Sequence, residues 1–130
     1  MIYEASVSRA FSASHSVLLA SGAPEAPHEH LWHVTATFRA RELAEPMGVV
    51  IDFVEVEAAL GDIAGKLQGT VLNSLPAFAD GRCSAERVAQ YLAGELARRL
   101  GGRKPWRVAV TESPGYSAAF YPEDDGRFEI

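Results

Sequence analysis

Cysteine is almost missing from this sequence. Cys83 stands alone, so no intrachain disulfide can form, and such usage fits a reducing cytoplasm. Long apolar runs are missing too: no stretch approaches the roughly 18–20 residues that a helical membrane span requires. The opening Met1-Ile2-Tyr3-Glu4 lacks the basic segment and apolar core of a secretion signal. Positive charge is in deficit, with 12 Lys and Arg against 17 Asp and Glu, a net charge of −5 and a pI near 5.3. A nucleic-acid surface needs a basic face, so neither nucleic acid nor a membrane is an expected partner. No repeat, low-complexity tract or interdomain linker interrupts the chain. What remains is ordinary globular composition, 48% hydrophobic and 22% charged, over 130 residues. That is enough for a single domain spanning residues 1–130. A chain this size buries only about two-thirds of its unfolded surface and would gain from oligomerisation.

Ile2, Val7 and Phe11 sit among polar residues in a loosely alternating stretch, which predicts a first strand. Ser21 to Pro27, with Gly22, Pro24 and Pro27, predicts a loop. From about His30 to Arg41, Trp32, Val34, Thr35, Thr37 and Phe38 predict a second strand. A turn at Pro46-Met47-Gly48 leads into the apolar run Val49-Val50-Ile51. The two strands could pair directly, or the second could continue past this turn as a hairpin. Asp52 is a candidate N-cap, with Val56, Leu60, Ile63, Ala64 and Leu67 at helical spacing behind it, so residues 53 to 67 form an amphipathic helix. Ser84 offers a second N-cap with Glu86 in the first turn, and Val88, Tyr91, Leu92, Leu96 and Leu100 make the apolar stripe. Arg98 and Arg99 fill its last turn, and Gly101-Gly102 supplies the stop. Trp106, Val108 and Val110 alternate as a third strand, Tyr116 to Tyr121 is a fourth, and the acidic tail Glu123 to Gly126 is solvated. The order β-β-α-α-β-β predicts an α+β fold, a four-stranded antiparallel sheet with two helices on one face. Its exposed edges call for pairing between subunits.

All four histidines fall between positions 15 and 33: His15, His28, His30 and His33. Residues two apart on a strand project to one face, so His28 and His30 can share a cation, with His15 closing a third position. Three imidazoles with an open fourth position describe a catalytic zinc site. His33 has the opposite parity and points to the other face, away from that ion. The alternative is that these are ordinary surface histidines, or that His15 is a hydrogen-bonded core residue.

Phe11-Ser12-Ala13-Ser14-His15, then His28-Glu29-His30, then Gly48-Val49-Val50-Ile51-Asp52-Phe53 resemble the 6-pyruvoyl-tetrahydropterin synthase / 6-carboxytetrahydropterin synthase family. That family carries Phe-x-x-x-His, His-Gly-His and Gly-Met-Val-x-Asp-Phe in this order. Leu72-Asn73, Cys83-Ser84-Ala85-Glu86 and Val108-Ala109-Val110-Thr111-Glu112 are similar to its Leu-Asn, Pro-Thr-x-Glu and glutamate-ended strand. The resemblance implies a tunnelling (T-) fold, in which three subunits join their sheets into a barrel and two such rings stack. It implies zinc (Zn2+) on His15, His28 and His30, and a small-molecule pterin held by Glu112, with Ser84 at the family's threonine, in sites at subunit interfaces. A carboxylate suits that anchor, since it accepts two parallel hydrogen bonds from an aminopyrimidinone edge.

The usual family members also carry a cysteine base before His-Gly-His and an Asp-His pair in Leu-Asp-His-x-x-Leu-Asn. Here the loop has no cysteine, and Gln68 and Gly69 replace the pair. Neither can transfer a proton. Glu25, three residues before His28, is similar to the Glu-x-x-His-Gly-His of one subgroup and is the candidate base. Cys83 and His33 are weaker substitutes, and Glu29 replaces the family's glycine. Two functions stay open. One is a zinc-dependent pterin lyase or synthase acting on dihydroneopterin triphosphate or a related dihydropterin, with Glu25 and Glu112 catalytic. The other is a diverged homologue that binds zinc and a pterin without turnover. A metal-dependent hydrolase on another nitrogen heterocycle is neither supported nor forbidden. Arg9, Lys66 or Arg107 would have to converge across subunits to meet a triphosphate.

Overall fold

A computed structural model describes residues 1–123. From Asp124 on, the acidic tail lies outside the described residues. Strands β1 (Tyr3–His15) and β2 (His28–Ala40) are followed by helix α1 (Phe53–Leu67), two 3₁₀ turns (Leu72–Ser74 and Pro76–Phe78), helix α2 (Ala85–Arg99) and strands β3 (Arg107–Ser113) and β4 (Tyr116–Phe120). The sheet runs β1-β2-β3-β4 with every neighbour antiparallel. This is the four-stranded sheet with two helices that the T-fold resemblance implies.

Both helices begin where the sequence puts them. The Asp52 carboxylate accepts the Val54 N–H at 2.9 Å, and the Ser84 hydroxyl accepts the Arg87 N–H at 3.2 Å, each meeting one of the orphan donors of a first helical turn. Val56, Leu60, Ile63, Ala64 and Leu67 line the buried stripe of α1, which lies over β1. Val88, Ala89, Leu92, Ala93 and Leu96 do the same for α2 over β3 and β4. Facing them across one core are Phe11, Ala13, Trp32, Val34, Ala36, Val108 and Val110. The opposite face of the sheet is rich in hydroxyls, with Ser6 paired to Thr37 and Ser8 to Thr35, each at 2.9 Å.

Several expectations shift. β2 starts at His28, two residues before the expected His30, because the pairing with β1 continues to His15 opposite His28. β1 and β2 pair directly, which removes the hairpin alternative. Val49-Val50-Ile51 is not a strand: only Ala44 and Val49 form a bridge, and Ile51 turns into the core ahead of α1. β3 begins at Arg107, although the Trp106 N–H still donates to the Thr37 carbonyl at 2.8 Å. The 3₁₀ turns had no signal in apolar periodicity because each is too short to show one.

Candidate metal centre and adjoining cavities

The ends of β1 and β2 build the site. Antiparallel register sets His15 directly opposite His28, and His30 opposite Ala13. All three imidazoles therefore lie on the helix side of the sheet, with ring centroids 4.6 Å (His15–His28), 5.2 Å (His15–His30) and 4.6 Å (His28–His30) apart. The Trp32 ring meets His15 edge-on at 4.8 Å and His30 at 5.9 Å. Its indole N–H donates to the Ala13 carbonyl at 3.1 Å, which holds it in place. Just past His15, Asn73 clamps Ser16 from both sides, accepting its N–H at 2.8 Å and donating to its carbonyl at 3.0 Å.

Backbone carbonyls settle which nitrogen of two rings carries the proton. His15 Nδ1 lies 2.7 Å from the Cys83 carbonyl and His28 Nδ1 lies 3.2 Å from the Ala26 carbonyl. A carbonyl oxygen only accepts, so both Nδ1 atoms are N–H, which leaves Nε2 of each ring as the atom that can bind a metal. These converge with His30 Nε2 on Glu112 Oε1, which is 3.2 Å from His15 Nε2, 2.9 Å from His30 Nε2 and 4.0 Å from His28 Nε2. His30 Nε2 is buried and has no aligned hydrogen-bond partner. Imidazole nitrogens thus crowd one carboxylate oxygen, which His15 Nε2 meets at hydrogen-bond distance, and the same donors suit a cation. The four donor atoms lie within 4.8 Å of one another. A tetrahedral ion about 2.1 Å from each donor separates neighbouring donors by roughly 3.4 Å, so the three imidazoles fit a divalent metal with no large movement and leave its fourth position to Glu112 or to a substrate oxygen.

Glu112 is the member that the sequence placed only at the ring. Its carboxylate reaches the metal position because Thr111 pairs with His33, setting Glu112 one residue beyond the last β2–β3 pair. It also lines two cavities. One, of about 520 Å³, is bounded by Glu29, His30, His33, Thr111, Glu112 and Pro114. The other, of about 500 Å³, lies between the start of α2 and β4, against Ala85, Glu86, Tyr116 and Ser117.

The remaining expected residues sit around this centre. Glu25 Oε1 accepts the Val17 N–H at 3.1 Å and lies 3.6 Å from His28 Nδ1, on the far side of the ring from the convergence point. Ser84 spends its hydroxyl on the α2 cap, between Cys83 and Ala85, and it is Ala85 that lines the second cavity. Cys83 is fully buried, and burial pushes its thiol up to about 12, so it stays protonated and is no base. Gln68 Oε1 accepts the Ser12 N–H at 2.9 Å, and the Gly69 N–H donates to the Ser12 carbonyl at 2.7 Å. Gly69 has φ +74, a left-handed position just after α1 where a histidine would be strained. The place of the Asp-His pair is thus occupied by a brace for the edge of β1.

None of the helices among the described residues is long and apolar enough to cross a membrane. The model of the family described as 6-pyruvoyl tetrahydropterin synthase matches residues 4–123. No match was found among curated proteins. Among solved structures, the Caenorhabditis elegans 6-pyruvoyl tetrahydropterin synthase superposes with a TM-score of 0.79 at 16% identity, covering 93% of this chain and 96% of that one. A Plasmodium vivax 6-pyruvoyltetrahydropterin synthase, a catalytic-residue mutant with glutamate changed to alanine, gives 0.70 at 18%, covering 92% and 97%. The Plasmodium falciparum enzyme gives 0.68 at 20%, covering 92% and 96%. At these identities the structures share the fold. With nearly the whole chain matched by the family model, this protein belongs to the 6-pyruvoyl tetrahydropterin synthase family.

Proposed function

We propose that the protein is a zinc-dependent pterin lyase or synthase of the reducing cytoplasm, working on dihydroneopterin triphosphate or a related dihydropterin. The observation that carries this is the convergence of three imidazole Nε2 atoms and Glu112 at the junction of two cavities. His15, His28 and His30 would hold the ion. Bound zinc supplies Lewis acidity toward oxygens of the substrate side chain. Glu112 accepts paired hydrogen bonds from the pterin edge, as a carboxylate does from a guanidinium. Ser84 presents the start of α2 to the ring in the second cavity. Glu25, beside His28, is the proton-transferring carboxylate. A glutamate named as a catalytic residue in the Plasmodium vivax relative supports that role. Joining the edge of β4 to the part of the β1 edge that Gln68 to Val71 leave uncovered, between copies, as a trimer or hexamer, would close the cavities at subunit interfaces.

Metal-loaded protein incubated with dihydroneopterin triphosphate should release a new pterin, and Glu25→Gln should abolish it. Absence of turnover by the wild type overturns the synthase reading. The structural use of Gln68 and Gly69 favours one competing reading, a homologue that binds zinc and pterin without chemistry. Calorimetry would then show ligand binding with no product, and Glu25→Gln would leave affinity nearly intact.

A further inference from the structure

His33 points away from the metal cluster, as strand parity requires, yet it lines the same 520 Å³ cavity as His30 and Glu112. The cavity reaches both faces of the sheet because the β2–β3 ladder ends at the pair His33–Thr111. Beyond that pair, Leu31 of β2, Ser113 at the end of β3 and Pro114 in the turn to β4 wall a gap. His33 stands at the closed end of this gap, on the face it shares with Glu29. Its cross-strand neighbours are the small residues Ala10 and Thr111, which leave its ring room to turn. Among the described residues His33 has no hydrogen-bond, ion-pair or ring partner, and its side chain is exposed to the cavity. The other three histidines belong to the cluster. The chain also holds glutamine and glycine at positions 68 and 69, which have no proton to exchange.

We infer that His33 is a second proton-transferring side chain of this cavity, acting on the substrate from the sheet face opposite the metal. The assignment rests on the pterin reading above. A neutral imidazole takes a proton from a carbon or hydroxyl of the bound side chain, becoming imidazolium, and returns it to another atom of the same molecule. One bond to hydrogen breaks as another forms, the freed electron pair is held by the conjugated ring, and no oxidant or co-reactant enters. Such groups contribute on the order of 10²–10⁴-fold to rate.

The test compares wild type, His33→Gln and His33→Ala, all metal-loaded, with dihydroneopterin triphosphate as substrate and neopterin as a binding probe. Metal content and neopterin affinity should match wild type. The kcat should fall at least about 100-fold with KM changed less than about threefold, and added imidazole should restore part of the rate of His33→Ala. Independently of turnover, bound neopterin should shield His33 from carbethoxylation by diethylpyrocarbonate, read by peptide mass. A His33→Gln enzyme within threefold of wild-type kcat, or equal labelling of His33 with and without neopterin, overturns the assignment while leaving the pterin reading standing. A wild type that neither binds neopterin nor processes the substrate defeats the pterin reading, and this assignment falls with it.

Discussion

The Nδ1 nitrogen of His15 lies 2.7 Å from the backbone carbonyl of Cys83, a contact spanning 68 residues of sequence. It ties the last residue of β1 to the residue that precedes the α2 cap, and it turns His15 Nε2 toward the other imidazoles. A peptide carbonyl that orients a ligand cannot be removed by changing its side chain. The position is therefore robust to substitution at Cys83 so long as the backbone there holds.

Replacing His15 or His30 with alanine should lower affinity for zinc by at least about 100-fold, since loss even of a group behind a ligand costs about 10–100-fold. His33→Ala should bind one equivalent as wild type does. Competition with a chromophoric chelator measures all three, and full metal affinity in His30→Ala would refute the ligand set.

Burial raises the Cys83 thiol from its ordinary 9.0 to about 12, with direct consequences in alkali. Between those values the unfolded chain releases a proton that the folded chain keeps, so stability falls as pH rises. The slope is at most about 1.4 kcal/mol per pH unit. Urea denaturation of wild type and Cys83→Ala across this range should show the extra slope only in wild type. At pH 8 the folded protein should react with Ellman's reagent only as fast as it unfolds.

Trp32 is fully buried between Phe11 and the histidine rings. Trp32→Ala should cost about 3–5 kcal/mol in urea denaturation. Trp32→Phe, which keeps a ring but loses the bond to the Ala13 carbonyl, should cost less. Its metal affinity should also drop, because the indole steadies His15 and His30 from one side.

Ser84→Ala removes an N-cap and should destabilise the fold by about 1 kcal/mol. Ser84→Asp should recover most of that loss, as the carboxylate caps equally well and favours the helix N-terminus. If Ser84 serves the ring through its hydroxyl as well, Ser84→Asp will be stable yet weak in neopterin binding. A role confined to the cap predicts wild-type affinity.

The helices were legible residue by residue, since Asp52 and Ser84 cap them and their apolar stripes recur at the period of the α-helix. The strands were legible as elements, and so was the pairing of His28 with His30, because parity is a local property of an extended chain. Val49-Val50-Ile51 shows the limit: three apolar residues suit a strand or an approach to a helix, and only the position of α1 against the sheet decides. Register is the larger matter. No local preference sets His15 opposite His28, or carries Glu112 one step past the His33–Thr111 pair into the imidazoles. Nor does parity reveal that an unzipped ladder lets His33 share a cavity with His30. Periodicity and capping are energies of neighbours along the chain and can be read there. The alignment of strands and the gap between them are set by packing two helices on one sheet, a sum over residues far apart in sequence that exists only once the chain has folded.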